Sequence, residues 1–203
     1  GCPWDDAVYA TAVVGGHLEM LKWAREQGCP WGEDGYEFSH AARSGRLDIL
    51  KWAREDGCPW GDANLCAIAA EAGHLEVLKW ASENGGTLDS YSFLEAARKN
   101  QLEVLKWLRE QGCPWDEEVA RAAAQRGHLA ALKWLREQGC PWDETTCTAA
   151  AQGGHLALLK WAREQGCPWD STTTSYAKQW KNDTLWEWAR KNGCPEDDSD
   201  SWH

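Results

Sequence analysis

The sequence predicts an all-α protein, an α-solenoid of seven stacked helix-turn-helix repeats. Three observations lead there. The segment GCPWD, followed by GHL and then LKW, recurs along nearly the whole chain. The repeat glycines Gly112, Gly139, Gly166 and Gly193 are spaced by 27 residues, as are Gly1 and Gly28, with steps of 29, 28 and 27 in between. Every unit also holds two stretches of helical apolar spacing, separated by a glycine stop in five of the seven. A period of this size belongs to units too small to bury their own apolar faces, which must stack on neighbours. The units run 1–27, 28–56, 57–84, 85–111, 112–138, 139–165 and 166–192, and an acidic tail occupies 193–203.

The elements of one unit follow in order from Gly139 to Gln165. Gly139 suits the left-handed position that ends a helix, and Pro141 cannot continue one. Asp143 is placed to cap the next helix, accepting from first-turn N–H groups and opposing the helix dipole. Trp142 precedes that cap and Cys147 follows at the fourth helical position, the spacing of a hydrophobic staple; Tyr9, Phe38, Cys66, Phe93 and Ala120 are its counterparts. Gly153 and Gly154 stop the first helix, and His155 opens the second. That helix turns Leu156, Leu158, Leu159, Trp161 and Ala162 inward. Its tryptophan recurs as Trp23, Trp52, Trp80, Trp107, Trp134, Trp161 and Trp188, and a large apolar aromatic at that position is expected to contribute most to stacking. Ala12, Ala41, Ala69, Ala96, Ala123, Ala150 and Ala177 mark a place where only a methyl fits.

Two units depart from the pattern. Gly86, Thr87 and Leu88 stand where Cys-Pro-Trp is expected, and Asn100-Gln101 stands for Gly-His. In the last unit Lys178, Asn182 and Asp183 bring polar groups, as a terminal cap requires.

With these pieces identified, Ala69-Ala70 followed by Gly73, His74, Leu75, Glu76, Val77 and Lys79 resembles the ankyrin repeat, and the similarity recurs across residues 1–192. Ankyrin units are 33 residues long and open on Thr-Pro-Leu-His. Here the period is 27, so the resemblance implies a short variant whose β-hairpin is reduced to the GCPW turn. It also implies protein–protein recognition.

A formal net charge of −11 disfavours nucleic acid and anionic membranes, which need a basic face. No apolar run approaches the ~20 residues of a membrane span. Seven of the nine cysteines share one position after the repeat glycine. Stacked helices lie ~8–10 Å apart, beyond the ~7 Å Cα reach of a disulfide, so these thiols are expected to be unpaired. That places the protein in a reducing, cytoplasmic setting.

Comparing units within the chain locates a variable first-helix stripe by the i, i+3, i+4, i+7 rule. It comprises Tyr36, His40, Arg43, Asn64, Ile68, Tyr91, Leu94, Glu95, Arg98, Glu118, Arg121 and Tyr176. Tyrosine and arginine on such a face are typical partner anchors. The expected function is therefore a scaffold that binds an unidentified protein or peptide there, as a monomer. The alternative is a structural spacer, a fragment of a longer array that self-associates through Val8, Val13 and Val14. A lesser alternative is haem or redox sensing at the Cys-Pro dipeptides. His17, His74, His128 and His155 occur one to a unit and lack metal-ligand spacing, so neither metal nor cofactor is expected. No nucleophile, phosphate-loop or paired-carboxylate motif occurs, and an enzyme is not expected.

Overall fold

The computed structural model describes residues 6–31, 36–58 and 64–196. The N-terminal Cys2 and the tail beyond Glu196 lie outside them. The described residues form fourteen helices in seven pairs: α1 (Asp6–Gly15) and α2 (Leu18–Glu26), α3 (Tyr36–Arg43) and α4 (Leu47–Glu55), α5 (Leu65–Ala72) and α6 (Leu75–Glu83), α7 (Ser90–Arg98) and α8 (Leu102–Glu110), α9 (Glu117–Gln125) and α10 (Leu129–Glu137), α11 (Glu144–Gln152) and α12 (Leu156–Glu164), α13 (Ser171–Gln179) and α14 (Asp183–Lys191). There is no strand among these residues.

Helices of eight to ten residues are too short to persist alone, so their ends are fixed by side chains. Asp89, Asp116, Asp143 and Asp170 have extended backbones and accept the amides of Ser92, Glu118, Thr145 and Thr172 at 3.0 to 3.1 Å. Asn64 caps α5 by accepting from Ala67 N–H at 3.0 Å. Between the helices of a pair, the chain reverses through a left-handed residue. Gly73, Gly127 and Gly154 take φ of 80°, 75° and 74° there. The next amide then returns to the first helix, as when His155 N–H donates to Ala150 C=O at 2.9 Å.

The first helices pack one on the next along the stack, and each second helix packs chiefly on its own partner. The core lies between these layers. Leu21, Leu50, Leu78, Leu105, Leu132 and Leu159 are fully buried at one equivalent position. The alanine series from Ala12 to Ala177 is buried throughout, as close helix contact requires.

Four expectations change. The second-helix tryptophan is half-buried in α4, α6, α8, α10, α12 and α14, and Trp23 is 54 % exposed. Leucine two residues earlier fills the core in every pair but the last, where Trp186 holds that position, while the indole lies beside the gap between neighbouring second helices. The turn tryptophan does not make its ring contacts within its own staple: Trp31 meets Tyr9 at 6.0 Å and Trp115 meets Phe93 at 5.3 Å, both in the preceding unit. It then meets the second-helix tryptophan of its own unit, as in Trp142 with Trp161 at 5.9 Å. Val13 is fully buried, leaving Val8 and Val14 exposed in α1, because Tyr9, Ala12 and Val13 fall on one helix face at i, i+3 and i+4. Finally, Cys29 is disulfide-bonded, its partner lying outside the described residues. A disulfide is set by the Cα and Cβ geometry of its own two residues and not by the axis spacing of stacked helices. Cys66, Cys113, Cys140, Cys147, Cys167 and Cys194 are free and buried, and Cys58 is buried as well.

Candidate functional site

Because the first helices pack directly on one another, equivalent positions on them line up across units. The stripe residues therefore interact sideways. Arg43 on α3 donates to Glu71 on α5 at 2.8 Å, and Glu71 also pairs with Lys99 at 3.4 Å. Burial pushes the Glu71 carboxyl up, but the bonds from Arg43 and Lys99 outweigh it and hold the group below its ordinary value. Further along, Gln125 donates to Gln152 at 3.1 Å, and the hydroxyls of Thr148 and Thr172 lie 2.7 Å apart.

The centre of the stripe is α7. Glu95 is buried and accepts from Arg98 at 2.7 Å. Tyr91, one turn earlier, is 49 % exposed, and the Glu95 carboxylate beside it pushes the phenol above its ordinary value. Leu94, and Ile68 on the neighbouring α5, are half-buried. On α9, Arg121 Nε forms bonds of 2.9 Å to both Glu118 oxygens, and this bonding raises the guanidinium's pKa. The structure thus brings Arg43, Ile68, Tyr91, Leu94, Glu95, Arg98, Glu118 and Arg121 onto adjacent first helices. His40 and Tyr176 are half-buried at the same register, Asn64 is engaged as a cap, and the Tyr36 side chain lies outside the described residues. Glu71 and Lys99 join the cluster unanticipated. Glu71 occupies the same stripe position as Arg43 and Arg98, three residues before the residue that opens the second helix, and that register was the available signal.

The GHL histidine turns out to join units. His74 Nε2 lies 3.1 Å from Arg43 C=O, His128 Nε2 2.9 Å from Arg98 C=O, and His155 Nε2 3.1 Å from Gln125 C=O. Each binds the last turn of the preceding first helix, and none caps its own helix. A carbonyl only accepts, so Nε2 carries the proton. Arg46 and Gln101 do the same to Val14 C=O and Glu71 C=O. Among the described residues, no three His, Cys, Asp or Glu side chains gather into a metal site.

The turn cysteines are hydrogen-bond donors inside the stack. Cys113, Cys140, Cys167 and Cys194 give their thiols to the carbonyls of Asp89, Asp116, Asp143 and Asp170 at 3.1, 3.6, 3.4 and 3.2 Å. Burial pushes Cys113 and Cys194 up to about 11 and Cys140 up to about 12. Haem ligation by a Cys-Pro thiolate needs an accessible, ionised sulfur, and these are neither.

Taken together, the fold and its first-helix surface define an α-solenoid with a continuous lateral face. No protein-family model matches the chain, and no curated protein matches it. Among solved structures, the ankyrin repeat domain of human ASB11 superposes with a TM-score of 0.64, covering 79 % of this chain and 84 % of that one at 17 % identity. The chain has the ankyrin-repeat fold, built on a shorter period. No helix among the described residues is long and apolar enough to cross a membrane.

Proposed function

We propose that the chain is a non-enzymatic interaction scaffold that holds a peptide or protein segment on the first-helix face from α5 to α9. The ankyrin-repeat fold generally serves protein recognition, and fold-level analogy gains weight here from one observation. Tyr91 stands half-exposed above a charge cluster already paired with itself, Arg43 to Glu71 and Arg98 to Glu95. A partner meeting this surface finds an aromatic anchor held in place, flanked by Ile68 and Leu94, at little cost in reordering charges.

A displayed peptide library panned against the protein tests this. Peptides enriched on the parent chain should bind Tyr91→Ala/Leu94→Ala at least tenfold more weakly, a loss of ~1.4 kcal/mol or more. Equal binding would remove the face from consideration. The spacer reading draws on the exposed Val8, Val14, Met20 and Trp23 of the first helix pair. Sedimentation of the same samples decides it: self-association abolished by Trp23→Ser would favour it over recognition of a foreign partner.

A further inference from the structure

The opposite face of the stack, formed by the second helices, carries a charge anomaly. Lys22, Lys79 and Lys106 each bond a glutamate three residues earlier, Glu19, Glu76 and Glu103, at 2.7 to 2.8 Å. Lys51 has Asp48 at the same spacing. In α10 and α12 that carboxylate is replaced by Ala130 and Ala157. Lys133 and Lys160 accordingly lean across to the next unit, their ammonium groups 5.8 Å and 5.7 Å from the ring centroids of Trp161 and Trp188. Arg136 and Arg163 lie beside them, each 4.1 Å over a turn tryptophan and donating to a cysteine carbonyl.

Adjacent second helices touch little, so a cleft opens between them. The cleft between α10 and α12 has a volume of about 400 Å³ and is lined by Lys133, Arg136, Glu137, Trp161 and Gln165. Where Glu103, Lys106, Arg109 and Glu110 balance on α8, the set Lys133, Arg136 and Glu137 carries one excess positive charge, and Lys160, Arg163 and Glu164 repeat it on α12. In a chain of formal charge −11, a basic cleft walled by Trp161, with the same lysine-to-tryptophan contact repeated from Lys160 to Trp188, is the reverse of the background.

We infer that this second-helix face is a docking site for an acidic peptide in the polyproline II conformation, with a carboxylate on every third residue. The first helices, which pack directly on one another, set the repeat of the stack at ~8–10 Å, and Lys133 and Lys160 are one such repeat apart. A polyproline II chain returns to the same side every three residues, after ~9 Å. Carboxylates at that spacing meet Lys133 and Lys160 in turn, while intervening prolines lie against the half-buried indoles, the usual surface for such chains. Only two charges are left uncompensated, too few for the counterion release on which nucleic-acid affinity depends.

The probe is a fluorescein-labelled (Glu-Pro-Pro)4 peptide, followed by anisotropy at low ionic strength with the full chain. Saturable binding is expected, weakened by added salt and unchanged by Tyr91→Ala, which separates this face from the first-helix site. Ala130→Glu/Ala157→Glu restores the pairing that the sister units use and keeps a carboxylate at the helix N-terminus, where it is tolerated; it should weaken binding at least tenfold. Lys133→Gln/Lys160→Gln should do the same. The inference is overturned if the parent chain does not bind, if (Gln-Pro-Pro)4 binds equally, if neither double variant has an effect, or if a single-stranded oligonucleotide of equal charge binds more tightly.

Discussion

Imidazole, guanidinium and carboxamide do the same job at the residue that opens α4, α6, α8, α10 and α12, and that equivalence defines the job. His74, His128, His155, Arg46 and Gln101 all present a donor to a last-turn carbonyl of the preceding unit. Helix C-termini leave such carbonyls without intrahelical partners, and in a stack they are drawn away from water. Removing the donor should cost the net worth of one hydrogen bond plus part of the penalty of an unsatisfied acceptor. For His128→Ala this gives ~1–2 kcal/mol, read as a lower urea midpoint. His128→Gln should recover most of it, because Gln101 already makes the bond at 3.2 Å. A Gln variant as unstable as the Ala variant would point to ring packing instead. At Asn182 the side chain turns back to cap α14, accepting from Leu185 N–H at 3.2 Å, so the last pair caps its own second helix where its predecessors bind a neighbour.

Each helix pair depends on its reversal, where glycine is used for a physical reason. Five of the seven equivalent positions hold glycine with φ near 70 to 80°, while Asn100 and Lys181 hold φ of 59° and 54°. A side chain other than that of Asn is disfavoured there, so Lys181→Gly should stabilise the last pair by ~0.5–1 kcal/mol, measured as a raised thermal midpoint. An unchanged or lower midpoint would mean that the lysine contributes contacts that offset its backbone cost. Period, caps and reversals of this kind were legible in the sequence, because they depend on residues a few positions apart. The buried leucines were legible too, through helical spacing. The placement of the tryptophans was not. Trp161 and Leu159 both read as inward-facing, and only the separation of neighbouring second helices decides that Leu159 is buried and Trp161 half-exposed. The candidate stripe was legible as a register, whereas the ties from Arg43 to Glu71 to Lys99 follow from how closely the first helices stack. Likewise, the disulfide at Cys29 could not be read from repeat spacing.

Across the whole molecule, the turn cysteines form a line of buried thiols that joins consecutive units, each donating to the cap residue of the unit before it. Their protonation is a global property of the stack. Burial raises Cys66, Cys113 and Cys194 to about 11 and Cys140 to about 12, against an ordinary value of 9.0. In Cys147 the neighbouring Cys167 thiol, together with burial, raises the group further. In the unfolded chain these thiols ionise near the ordinary value, so between pH 9.0 and about 11 the folded state holds more protons than the unfolded one. Stability from this source is complete below pH 9.0 and is lost as pH rises through the folded values. Each thiol contributes a slope of up to ~1.4 kcal/mol per pH unit. Thermal melts followed by circular dichroism should therefore hold steady up to about pH 9 and fall steeply above it. Lysine and tyrosine also ionise in that range, so the test lies in the difference between variants. Cys113→Ala/Cys140→Ala lowers the midpoint at neutral pH by opening cavities, yet its midpoint should fall less steeply with alkali than that of the parent. Parallel slopes would assign the alkaline loss to the surface and leave the thiol line as packing alone.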